Sequence, residues 1–226
     1  MSGPPPFFNA RLQETQVFLS LLGEIQRPRG RFRAVRGAMP DCVPILKACA
    51  FLLIYNLVES SVRSAFEEVY SHVEQDGSSF SGLTADIQRL WLAQQFSDAP
   101  PDSANRNTYL DISKRLANDI AAAKPLSMDA RKLPISGNLD ADQIRELCRR
   151  HGIVLSVSKW AKGGVELGTV KIQRNALAHG LKSFVECGRE YEITDLRRIL
   201  LQTTHFLKGF LASVDRYQKG KHFLST

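Results

Sequence analysis

The stretch Arg174-Asn175-Ala176-Leu177-Ala178-His179-Gly180, RNALAHG, sets a permanent cation, an amide and an imidazole into an otherwise small, apolar helix that then meets glycine. Glycine relieves the left-handed backbone with which many helices end, so the spacing predicts a helix from near Val165 that stops at Gly180. At about 100° per residue, Lys171, Asn175 and His179 form an i, i+4, i+8 stripe, and Arg174 lies about 140° around from His179. Arg174 must therefore reach to share an anion with His179.

Outward from this helix, hydrophobic spacing reads as helix nearly throughout. Leu12, Leu19, Leu22 and Ile25 line a first helix that Pro28 and Gly30 end. Asp41 opens a long second one, with Pro44 in its first turn and Phe51, Ile54, Val58, Val62, Ala65 and Val69 at helical spacing as far as Gly77. Helices follow around 84–96 and 109–120, separated by the loop SDAPPDSANR. Asp140 caps a short helix that stops at His151-Gly152, and residues 153–164 read as a short strand or a loop. After the motif, 183–193 reads as a loop or small hairpin, and Thr194 caps a last long helix running to Tyr217. The expectation is an all-α bundle in one domain, 1–226. Residues 1–40 form an N-terminal helix and basic loop, 41–226 form the main bundle, and the second, motif and last helices are central.

Composition bounds the function. The chain has 226 residues, 43% of them hydrophobic, and a formal charge of +7, which favours an anionic partner such as nucleic acid. The densest basic stretch, Arg27 to Arg36, reads equally as a phosphate contact or a solvated linker. Cys42, Cys49, Cys148 and Cys187 form no CxxC pair and stand beside no histidines at zinc spacing, so neither a metal nor a cofactor is expected. The opening MSGPPPFF lacks a signal-peptide pattern, and the longest apolar run, Ala48 to Tyr55, is too short for a bilayer. These features lead us to expect a cytoplasmic protein that does not span a membrane.

Cleaving RNA without a metal requires a base for the 2′-OH, an acid for the departing 5′ oxygen and a cation for the phosphorane. Arg174 suits the last task and His179 either of the first two. One motif supplies one histidine, and His72, His151, His205 and His222 have no comparable setting. A symmetric dimer would bring two copies of His179, Arg174 and Asn175 into one cleft.

An Arg, a polar residue and a His ending a late helix resemble the RX4H motif of the HEPN superfamily. YNLVES on the second helix and SGNLDADQIRELCRRHGI before the motif resemble its MAE-type subgroup from about Asp41 onward. The resemblance implies a metal-independent endoribonuclease that works as a dimer and leaves 2′,3′-cyclic phosphate ends. It also implies a setting in bacterial toxin–antitoxin or antiphage defence, with an antitoxin or sensor as partner. By the same likeness Arg174 and His179 are catalytic, and Asn175 orients them or the phosphate.

Structural alternatives stand beside these readings. Arg174 could bind a carboxylate while His179 caps the last carbonyls of its helix. Asn56, Glu59 and Arg63 share a helical face, where Glu59 holds Arg174 or His179, or the three form a partly exposed polar stripe, or Glu59 pairs internally with Arg63. Lys171 reads as solvated or as a phosphate contact. Trp91, Trp160 and Tyr109 read as core or as base-stacking surfaces, with Trp160 in SKWAKGG the best placed to stack. The rival function is a non-catalytic helical module that binds a partner protein or a nucleotide.

Overall fold

The computed structural model describes residues 4–27, 29–97, 106–135 and 137–225. Among them lie nine helices and no strand: α1 (Pro6–Gln26), α2 (Arg33–Ala38), α3 (Cys42–Asp76), α4 (Ala85–Phe96), α5 (Arg106–Ala121), α6 (Ala141–Arg150), α7 (Val165–Ala178), α8 (Phe184–Arg189) and α9 (Ile193–Lys219). The all-α expectation holds. Most of the predicted SDAPPDSANR loop, residues 98–105, lies outside the described residues.

The chain divides into two compact units. The first takes residues 1–62, 135–144 and 156–211. There α1 buries Phe8, Leu12, Thr15, Leu19 and Leu22 on one face, a spacing of three and four residues that only a helix aligns. Phe51, Ile54 and Leu57 of α3, Leu167 and Val170 of α7, and Phe206 and Phe210 of α9 complete its core. Each such side chain contributes about 1.5–3 kcal/mol by leaving water. The second unit takes residues 63–134, 145–155 and 212–226. It buries Phe66, Val69 and Val73 of α3, Ile87 and Trp91 of α4, and Phe223. Isolated antiparallel bridges join Ser79 to Pro125 and Leu83 to Leu224 in that unit.

Of the two readings for residues 153–164, strand or loop, the structure has the loop, closed by a 3₁₀ turn at Lys159–Gly164. Two local expectations are corrected. The segment after the motif is neither loop nor hairpin but α8. Its Ser183 hydroxyl accepts from the Glu186 N–H and the Glu186 carboxylate accepts from the Ser183 N–H, a complete capping box. The last helix begins before Thr194, with the Glu192 carbonyl accepting from Asp195 and Leu196.

One described helix, α3, is long and apolar enough to cross a membrane, with a mean hydropathy of 1.7 over its best window, and half of that window is buried within the protein. That pattern fits a core helix. Trp91 is buried, Tyr109 stacks on Phe96 at 6.1 Å between ring centres, and Trp160 is 61% exposed. Of the three, Trp160 is the most exposed, with the Lys159 ammonium 5.6 Å from its ring centre.

Candidate functional site

The site is built on α7 within the first unit. Leu167, Val170 and Leu177 anchor the helix in the core, and buried Gln173 donates to the Tyr191 hydroxyl at 2.9 Å. The helix ends as predicted. Gly180 stands at φ +67°, its N–H reaching the Leu177 carbonyl at 3.3 Å while the Leu181 N–H reaches Ala176 at 2.9 Å. This paired closure takes up the last carbonyls with backbone donors. The His179 imidazole is thus not needed as a cap. It is exposed and hydrogen-bonded to nothing among the described residues.

Arg174 is half-buried and held entirely by neutral groups. Its guanidinium carbon sits 4.6 Å from the centre of the Tyr55 ring, on α3, a cation–π contact. Its Nη1 donates to Asn175 Oδ1 at 2.9 Å and to the Gly137 carbonyl at 3.4 Å. No carboxylate pairs with it among the described residues, and Nε and Nη2 remain unengaged there. The structural alternative of an Arg174–carboxylate pair is therefore not seen among the described residues. The two unused donor groups form the edge of the guanidinium that fits two phosphate oxygens at once.

The loop before α6 supplies the other wall. Gly137 adopts φ +62°, a conformation that favours glycine, and a β-carbon there would crowd Arg174 Nη1 at 3.1 Å. Asn138 Oδ1 accepts from Asn175 Nδ2 at 3.0 Å, and the Leu139 N–H donates to the Tyr55 hydroxyl at 3.1 Å. Asp140 caps α6 by accepting from the Gln143 N–H at 2.9 Å and also pairs with Lys171.

Electrostatics follow from these contacts. Burial raises the Tyr55 phenol above its ordinary value, outweighing the Leu139 hydrogen bond, and so keeps it neutral beneath Arg174. Burial acts to raise the Asp140 carboxyl too. The Lys171 ammonium and the helix amides prevail and hold it below its usual range. Lys171 is thus neutralised by Asp140, whereas Arg174 has no ion pair among the described residues.

The sequence-predicted residues fare differently. Arg174 and Asn175 are joined directly, and His179 stands free at the end of the same helix. Lys171 is half-buried on Asp140 rather than solvated. Asn56 is exposed. Glu59 makes no bond to Arg174 or His179; it lies close enough to Tyr55 to raise the phenol's pKa. Sequence reasoning missed Tyr55, Gly137, Asn138 and Asp140 as parts of the site. Their signal was present in two quoted stretches, since Tyr55 opens YNLVES and the other three fall in SGNLD.

Neither a curated protein nor a solved structure matches the chain. Residues 9–223 match the family described as HEPN_MAE_28990-like HEPN, a span that includes α3, the Gly137–Asp140 loop and the motif helix. The chain therefore belongs to the HEPN_MAE_28990-like HEPN family.

Proposed function

We propose that the protein is an endoribonuclease that needs no metal and acts as a homodimer, in the setting of toxin–antitoxin or antiphage defence. The observation that carries this reading is the pair of unused groups on one helix: a guanidinium held by neutral partners with its phosphate-binding edge open, and an exposed imidazole relieved of capping by Gly180. HEPN domains are RNase-like as a family, which supports the same direction.

In this mechanism the His179 of one protomer takes the 2′-OH proton as the 2′ oxygen bonds to phosphorus. The second copy's imidazolium gives its proton to the 5′ oxygen as the P–O5′ bond breaks, leaving a 2′,3′-cyclic phosphate. Arg174 binds two non-bridging oxygens and stabilises the charge of the phosphorane. Asn175 holds Arg174 through Oδ1 and is itself held by Asn138. A second copy has a surface to meet. Val165 and Ile172, 71% and 60% exposed, lie at i and i+7 on α7, and His179 follows at i+14. The stripe runs about 21 Å to His179 at 1.5 Å per residue, and Leu181, 80% exposed, follows beyond the helix end. An apolar face that leads to the histidine fits self-association.

The test is RNA cleavage in the presence of a chelator. Wild-type protein is expected to leave 2′,3′-cyclic phosphate ends, and His179→Ala to lose at least about a hundredfold in rate with an unchanged melting temperature. Cleavage that persists in His179→Ala overturns the reading. Absence of cleavage in wild type, with RNA or partner binding intact, favours the non-catalytic module.

A further inference from the structure

The site described above leaves the arginine-rich segment between α1 and α3 unused. Residues 24–36 hold five arginines and one glutamate, a formal +4 out of the chain's +7. Two of these arginines are committed to structure. Arg27 pairs with Glu24 at 3.0 Å. Arg36 donates through Nη1 to the carbonyls of Gln26 at 2.7 Å and Arg27 at 3.0 Å, where the end of α1 concentrates negative partial charge. That bond folds the segment back on α1 and fixes it.

Arg29, Arg31 and Arg33 differ. All three are exposed, and none pairs with a carboxylate among the described residues. The Gly30 N–H reaches the Arg27 carbonyl at 3.1 Å and the Arg33 N–H reaches Gly30 at 3.0 Å, so consecutive turns shape the backbone that carries the three arginines. The Arg31 guanidinium lies 4.8 Å over the Phe32 ring. Glu24, Arg27, Arg29, Gly30 and Arg31 line an open concavity of about 820 Å³, within the roughly 300–1,000 Å³ of ligand sites. Among the described residues that lining is three arginines, a glutamate and a glycine. Guanidinium forks suit phosphate.

The segment also has a fixed relation to the motif helix within the first unit. Gln26 donates to the Glu192 carboxylate at 3.4 Å, and Gln173 donates to the Tyr191 hydroxyl at 2.9 Å. Thus the residue before Arg27 and the residue before Arg174 touch adjacent positions of the chain. The end of α1 and the motif helix are thus joined through the Tyr191–Glu192 segment of the same unit.

We infer that Arg29, Arg31 and Arg33 bind the phosphate backbone of single-stranded RNA that runs on to the Arg174 and His179 site. The identity of the polyanion rests on the ribonuclease reading. The test uses full-length His179→Ala protein, which spares the RNA, and a short labelled single strand titrated over a range of salt. Replacing all three residues (Arg29→Glu, Arg31→Glu, Arg33→Glu) is expected to weaken binding at least about tenfold and to flatten the slope of log K against log salt by about 2, at about 0.7 per phosphate contact. The charge-keeping set Arg29→Lys, Arg31→Lys, Arg33→Lys is expected to keep the wild-type slope. Unchanged affinity and slope in the glutamate protein overturn the inference and leave the segment to an acidic partner, and a lysine protein as weak as the glutamate one also overturns it. Cleavage is measured separately with His179 intact. Its absence alongside segment-dependent binding would sink the ribonuclease reading and leave this surface standing.

Discussion

A phenol that accepts the Leu139 amide with its oxygen and faces the Arg174 guanidinium with its ring resists replacement by phenylalanine, because a buried N–H would then lose its partner. Tyr55→Phe is expected to cost about 1–2 kcal/mol in urea unfolding and to lower RNA cleavage by loosening the Gly137–Asp140 loop under Arg174. Tyr55→Leu should lower cleavage further, since it also removes the cation–π contact. Equal activity in wild type and both variants would show that Tyr55 does not position Arg174. Legibility at this scale split by distance along the chain. That Arg174, Asn175 and His179 share one helix and its end was readable because helical geometry relates neighbours without knowledge of the fold. Tyr55 and Gly137 were not, since their approach to Arg174 depends on how α3 and a distant loop are packed against α7, and periodicity holds no information on that.

Among the elements, α7 combines a buried face with an exposed apolar stripe that ends at His179. Ile172 is 60% exposed, so charging it disturbs little inside the protomer. Ile172→Glu is expected to shift the protein from dimer to monomer in sedimentation and to reduce cleavage in step, with an unchanged helical circular-dichroism spectrum. A dimer that persists unchanged in this variant would remove the stripe from the proposed interface. The limits of α7 were legible since core periodicity and Gly180 agree on them. The neighbouring α8 was not, although Ser183 and Glu186 spell a capping box, because six residues are too few for hydrophobic spacing to show.

For the molecule as a whole, the second unit carries a pH-sensitive core. His151 is 1% exposed, with Nδ1 on the Leu147 carbonyl at 2.7 Å and Nε2 on the Tyr70 hydroxyl at 3.0 Å. A carbonyl only accepts, so Nδ1 bears the proton and Nε2 accepts from Tyr70. Burial drives the imidazole pKa down to about 4. A depressed folded value means that the unfolded chain takes up the proton first. Stability from this group is complete above about pH 6.5 and is lost as the pH falls toward 4, by roughly 3 kcal/mol at about 1.4 per unit. Urea midpoints measured across this window should decline in wild type and decline less in His151→Phe. Equal slopes in the two proteins would show that His151 does not drive the acid loss.

The neutral cradle of Arg174 has a further thermodynamic meaning. A folded chain that offers an unmatched cation, where the unfolded chain has only a solvated one, treats any fitting oxyanion as a ligand of the native state. Mass action then links fold stability to the ionic composition of the medium, at about 1.4 kcal/mol when the anion stands at ten times its Kd. Inorganic phosphate should raise the melting temperature of the wild type more than that of Arg174→Ala, and an equal rise in both would place the bound anion elsewhere. The unused guanidinium edge is thus expected to make fold stability follow the oxyanions around the protein.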